Sequence, residues 1–166
     1  RFAIIDLGTN SVRFDVHSIS ANGKPKILHR EKLMVRLGQG VFLKGRMDAQ
    51  AMDRAVHAFT QFRRVARALS VQKIVAFGTS ALREALDSQP FVDRVREESG
   101  IEIKVISGKE EAKLIALGIL ANEKVTPKKV LLVDIGGGST ELSLCRGKRT
   151  LRGDSLPLGT ARIQQV

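Results

Sequence analysis

Two stretches of this chain are versions of one another, and that repetition limits the fold more than any other feature. FAIIDLGTNSVRFDV, from Phe2, lies over VLLVDIGGGSTELSL, from Val130, after a shift of 128 residues. Asp6 then matches Asp134, Gly8 matches Gly136 and Ser11 matches Ser139, with apolar residues facing apolar ones around them. In each copy an apolar run stops at an acid, crosses a glycine-containing turn and resumes, which is the pattern of a β-hairpin. The separation implies two related domains, each opening with the same hairpin. Two such turns facing each other would frame a cleft. A flexible GGGS linker would not sit between VLLVD and the alternating TELSL segment.

The chain between the hairpins fits this division. Residues 2–7, 11–20 and 26–37 read as three strands, punctuated by Gly23, Pro25, Gly38 and Gly40. Asp48 caps a helix to about Leu69, whose apolar positions step by three or four from Met52. Arg54, Arg63, Arg64 and Arg67 mostly miss that stripe and read as a solvated basic face. A strand at 73–77, helices from Ser80 and after Pro90, a strand at 101–106 and a helix from Gly108 to about Leu120 follow. Strands alternating with helices after a meander indicate an α/β layer with a mixed sheet. Residues 122–129 mark the boundary, giving a first domain at 1–121 and only the opening strands of a second at 122–166. The chain begins at Arg1 rather than Met, as a trimmed or partial chain would. An uncovered second sheet would favour self-association, so either a homodimer forms through this segment or the segment is weakly protected.

Composition narrows the partners. The net charge of +11 favours anions: phosphorylated metabolites, polyanions or nucleic acid. Trp and Tyr are absent and most of the seven Phe hold core-like positions, which argues against a dedicated nucleic-acid surface. No apolar run is long enough to span a bilayer, and no basic segment with an apolar stretch opens the chain. The single Cys145 excludes an internal disulfide and fits a reducing compartment, so a cytoplasmic location is expected. Cys145 itself reads as a buried strand residue. His17, His29 and His57 show no ligand spacing.

Glycine turns suit phosphate. Backbone amides of Gly8, Thr9, Asn10 and Ser11, and of Gly136, Gly137, Gly138, Ser139 and Thr140, can form anion nests. If Gly137 and Gly138 make a two-residue turn, Asp134 and Glu141 face each other across the ladder. Like charges there oppose pairing unless a hard divalent cation such as Mg²⁺ lies beside them. In the first hairpin the opposed residues are Asp6 and Arg13, a compensated pair, so the metal should favour the second. Ser107 and Glu110 form a capping box, which accounts for Glu110 and leaves Glu111 as either exposed helix surface or a base at a cleft edge. Ser80 can cap the next helix upstream. Arg83 within its first turn opposes the helix dipole unless an anion sits there, and is otherwise a solvated residue.

These motifs, DLGTNSVRF (6–14), RLGQGVFLKGR (36–46), GTSALREA (78–85), SGKEEAKL (107–114), DIGGGSTEL (134–142) and LPLGTARI (156–163), resemble the exopolyphosphatase and guanosine pentaphosphate phosphohydrolase family of the actin-like, sugar-kinase-like superfamily. The resemblance implies two ribonuclease-H-like (actin-like ATPase) domains around a cleft and Mg²⁺-dependent removal of terminal phosphates from polyphosphate or pppGpp. It implies Glu111 as the base that activates water, Asp134 and Glu141 as metal-associated acids, and the two turns with Arg83 as phosphate contacts. Two rival readings are a small-molecule kinase of the same superfamily and a phosphate-polymer or nucleotide sensor without turnover.

Overall fold

The computed structural model describes residues 1–20, 23–124 and 127–165. Part of the expected boundary stretch therefore lies outside the described residues. In chain order the elements are β1 (Phe2–Leu7), β2 (Ser11–Ile19), β3 (Pro25–Met34), α1 (Val41–Lys44), α2 (Ala49–Ala68), β4 (Lys73–Gly78), α3 (Ser80–Glu84), α4 (Ser88–Ser99), β5 (Ile103–Val105), α5 (Gly108–Asn122), β6 (Lys129–Ile135), β7 (Thr140–Arg146), β8 (Arg149–Leu156) and α6 (Thr160–Ile163).

The first sheet runs β3-β2-β1-β4-β5. Strands β1 to β3 form the expected antiparallel meander, while β4 lies parallel to β1 and β5 parallel to β4. A parallel neighbour needs a long crossover, which α2 supplies between β3 and β4. The period of two along β1 buries Ala3, Ile5 and Leu7 in the core and turns Ile4 and Asp6 to the opposite face. On the core side Phe14 stacks on Phe62 of α2 at 4.6 Å between ring centroids. Each such buried side chain contributes about 1.5–3 kcal/mol. Asp48 accepts from the Ala51 amide at 3.0 Å and so starts α2 as its sequence indicates.

Some expectations fail locally. Arg54 and Arg63 are not simply solvated: they donate to the carbonyls of Val35 (3.0 Å) and Ser99 (2.8 Å), tying α2 to the chain on either side. The strand expected at 101–106 pairs only over Ile103–Val105, since it is the sheet edge. The helix from Ser80 is a single turn, and α1, β8 and α6 had no separate signal.

The second sheet is the antiparallel β6-β7-β8. Residues Val130, Leu132 and Asp134 oppose Cys145, Ser143 and Glu141. This face packs on α5, where Cys145 and Leu132 meet Ala116 and Leu120, and the Ser143 hydroxyl donates to the Ala112 carbonyl at 3.2 Å. Leu131, Val133 and Ile135 lie on the other face, 52–66% exposed. Chain order places α5 before the expected boundary at residues 121 and 122, yet its packing is against β7 and β8. The buried cluster of the first sheet ends at Ile103 and contains no α5 residue.

Candidate active site

The two hairpins have the register that the sequence implies: Asp6 opposes Arg13, and Asp134 opposes Glu141. Both turns are closed alike, by Gly8 N–H to the Ser11 carbonyl (3.0 Å) and Gly136 N–H to the Ser139 carbonyl (2.9 Å). The turns also meet. A Cβ on Gly137 would stand 3.0 Å from Thr9 Cβ, and one on Gly138 would stand 2.5 Å from Ser80 Oγ and 2.7 Å from Thr9 Oγ1. Neither glycine has the left-handed φ that a tight hairpin turn often requires. They are glycines because the facing half of the chain is in the way: the first turn at Gly137, and Ser80 and Phe42 together with Thr9 at Gly138.

Between the turns lies a cleft of about 390 Å³. Its lining includes Gly8, Thr9, Asn10 and Ser11 from the first turn and Gly136, Gly137, Gly138 and Ser139 from the second, together with Glu111, Asp134 and Glu141. Among the described residues, no protein acceptor is within hydrogen-bond reach of the amides of Thr9, Asn10, Gly137 and Gly138. Such unpartnered N–H groups at a polar cleft are donors for an anion.

Two expected contacts are placed elsewhere. Thr140 is buried in the ladder opposite Ile135 and Leu156, its hydroxyl donates to the Leu158 carbonyl at 2.5 Å, and it does not line the cleft. Arg83 sits behind the wall. Its guanidinium reaches Glu111 Oε2 (2.6 Å), the Ile106 carbonyl (3.2 Å) and Ser139 Oγ (3.4 Å). With α3 only one turn long, Arg83 lies at its C-terminal end and the dipole argument lapses. The Glu111 ion pair is what fixes it. Thr79, rather than Ser80, is the N-cap residue, and Ser80 Oγ points to Glu84 at 3.4 Å.

Glu111 is not exposed helix surface. Ser107 Oγ accepts from the Glu110 amide at 3.2 Å, starting α5 as expected. The Glu110 carboxylate binds Lys104 Nζ at 2.7 Å, and among the described residues it makes no return bond to the Ser107 amide. One residue on, Glu111 turns inward with its side chain 16% exposed. Burial pushes its carboxyl above the ordinary value; Arg83 pulls it back, while Glu141 and Asp6 add to the rise. Asp6 is raised as well, chiefly by burial, with Arg13 opposing and Asp134 adding.

Asp6 is the acid that sequence reasoning undervalued. Arg13 does offset it, as the cross-strand register implies, although among the described residues the two form no ion pair; burial outweighs Arg13, and Asp134 adds a smaller rise. The signal was in the repeat, because Asp6 and Asp134 are its matched pair and the hairpins face each other. Glu141 is 3% exposed and accepts from Ser155 Oγ at 2.7 Å. Among the described residues no three His, Cys, Asp or Glu side chains converge on one point. A cation here would take one or two carboxylates and complete its shell with water and phosphate oxygens, which is how Mg²⁺ is usually held.

A mixed five-stranded sheet joined to a second hairpin sheet, with matched turns facing across a cleft, is the actin-like ATPase fold. Within it the chain belongs to the Ppx/GppA phosphatase family, whose sequence pattern matches residues 16–166. It is 29% identical over 163 residues to Exopolyphosphatase 1 of Mycobacterium tuberculosis, covering 98% of this chain and 47% of that protein. The crystal structure of an exopolyphosphatase from Cytophaga hutchinsonii superposes with a TM-score of 0.94 at 34% identity, over 98% of this chain and 52% of that one. The Aquifex aeolicus member of the family gives 0.83 at 29% identity, over 95% and 51%. The chain thus spans about half the length of the curated relatives that it matches. Among the described residues no helix is long and apolar enough to cross a membrane.

Proposed function

We propose that this chain carries the catalytic cleft of a hydrolase that removes the terminal phosphate of inorganic polyphosphate, with pppGpp as the alternative substrate and Mg²⁺ as the cofactor. The observation that carries the reading is Glu111, half-buried in the wall between two sets of unpartnered amides and held by Arg83 at 2.6 Å. The amides of Thr9, Asn10, Gly137 and Gly138, with that of Ser139 beside them, receive the terminal phosphates, while those of Gly8 and Gly136 close the turns. Glu111 Oε2 is engaged by Arg83, which leaves Oε1 to accept a proton from water. The water oxygen bonds to the terminal phosphorus as the bridging P–O bond breaks, the proton passes to Glu111, and the shortened polymer leaves as the anion. A carboxyl raised above its ordinary value is a stronger base than an exposed one. Arg83 serves here by fixing that base rather than by clamping a phosphate directly.

Asp134 and Glu141 fit a hard divalent cation, which would neutralise charge developing on the phosphoryl oxygens. Asp6, which lines the same cleft as Asp134, is a further oxygen donor. The two units suggested by the sequence, 1–121 and 122–166, meet at α5, which presents Glu111 to the cleft while packing on the second sheet. The test is orthophosphate release from polyphosphate, pppGpp and ATP with Mg²⁺, using the full chain in which these residues occur. Release from polyphosphate above ATP is expected. Phosphate transfer to an added alcohol instead of water would support a kinase, and binding without release would support a sensor.

A further inference from the structure

The two turns match in position but not in how they are held. In the first, the Thr9 carbonyl accepts from the Gly38 amide (2.8 Å) and the Asn10 carbonyl from the amides of Val35 (3.1 Å) and Arg36 (2.8 Å). In the second, the Gly136 carbonyl accepts from the Thr160 amide (3.0 Å) and the Gly137 carbonyl from the amides of Ala161 (2.8 Å) and Arg162 (3.1 Å). The repeat aligns Asn10 with Gly138, yet no backbone amide reaches the Gly138 carbonyl among the described residues. A side chain replaces it: Arg162 Nε donates to that oxygen at 2.8 Å.

Orientation follows from the peptide group. In a trans peptide the C=O of one residue and the N–H of the next point in opposite directions. Carbonyls 136, 137 and 138 all point towards α6, so the amides of Gly137, Gly138 and Ser139 point the other way, towards the cleft. Arg162 therefore governs the Ser139 amide. The guanidinium is itself fixed from across the cleft: its NH2 group pairs with Glu84 of α3, and its carbon lies 4.1 Å from the centroid of the Phe42 ring. With Glu84 neutralising it and Gly138 and Phe42 flanking it, the 16% exposed side chain is built to hold a backbone rather than to bind an anion.

We propose that Arg162 is a positioning residue, which aims the Ser139 amide at the phosphate and couples the second turn to Glu84 and Phe42 of the facing half. This inference rests on the phosphate-receiving role proposed above for the turns. The test compares Arg162→Ala and Arg162→Lys in the full chain by two readouts: steady-state orthophosphate release from tripolyphosphate, and the amide shift of Ser139 on titration with inorganic phosphate. For Arg162→Ala, kcat should fall by about 10², the usual effect of losing one preorganised donor, with KM changed less than threefold. The Ser139 amide should stop responding to phosphate. Arg162→Lys keeps one donor and should recover part of both. The inference is overturned if Arg162→Ala retains kcat within threefold and the Ser139 response, or if the lysine variant is no better than alanine and both merely melt earlier. If the parent releases no orthophosphate while Ser139 still answers phosphate in an Arg162-dependent way, the hydrolytic reading falls and the positioning role stands.

Discussion

Replacing Gly138 by alanine tests whether the two turns meet as closely as the cleft requires. The added Cβ would lie 2.5 Å from Ser80 Oγ, 2.6 Å from Phe42 Cζ and 2.7 Å from Thr9 Oγ1, all contributed by the first half of the chain. Ordinary contact begins at 3.4 Å, so the Ser80 approach alone must open by 0.9 Å. Overpacking of that kind costs about 1–3 kcal/mol. Alanine also restricts the unfolded chain, which returns about 0.4–1 kcal/mol because Gly138 has no left-handed φ. The net loss lies between about 0 and 2.6 kcal/mol, centred at about 1.3 kcal/mol, or a melting temperature lower by about 3–5 °C for a chain of this size. Gly118→Ala is the control. It lies on α5 with nothing within 4 Å of the new Cβ, so the same substitution should stabilise by about 0.5–1 kcal/mol. Thermal melts of the two variants decide the matter. Gly138→Ala melting above the parent would show that the second turn does not press on Thr9, Ser80 and Phe42 and would remove the basis for the cleft.

Further outcomes follow from the acids. Asp134→Asn removes a like charge from beside Asp6, so the Asp6 carboxyl should titrate lower than in the parent; an unchanged NMR titration would place Asp134 too far away to matter. Without metal, Asp134→Asn and Glu141→Gln should be at least as stable as the parent, and marked destabilisation of both would make the acids structural. Because the folded state raises Glu111 above its ordinary 4.5, the unfolded chain loses that proton first. Its contribution to stability is thus present at low pH and lost as pH rises from 4.5 through the raised value. Glu111→Gln should abolish that slope in pH-dependent melts, and an identical slope in both proteins would contradict the shift. Amide exchange should be faster in β6, whose Leu131, Val133 and Ile135 are exposed, than in β1; equal protection would show that the open face costs β6 nothing.

Sequence carried far where local rules act alone. Hairpin register follows from turn length, so the Asp6–Arg13 and Asp134–Glu141 pairs are legible in the sequence. The starts of α2 and α5 followed from Asp48 and Ser107. What escaped depends on distant partners. Arg83 was read against its own helix, but Glu111, 28 residues away, fixes it. Arg13 offsets Asp6 as the register implies, yet burial outweighs it and Asp134 adds a smaller push, and neither is visible in a hairpin taken alone. The packing of α5, which chain order places within 1–121, on β7 and β8 is likewise a contact between distant segments. The internal repeat is what links the two scales, since it states in one dimension that two hairpins share a design.

Glu111→Gln tests the central claim most directly. Glutamine keeps the size, the helix and an acceptor for Arg83 while removing the proton acceptor. In the full chain with Mg²⁺, orthophosphate release from polyphosphate should fall by about 10² or more, polyphosphate should still bind, and Glu110→Gln, altered at the Lys104 ion pair, should turn over like the parent. Near-parental release by Glu111→Gln would contradict the account, because the base would then lie elsewhere.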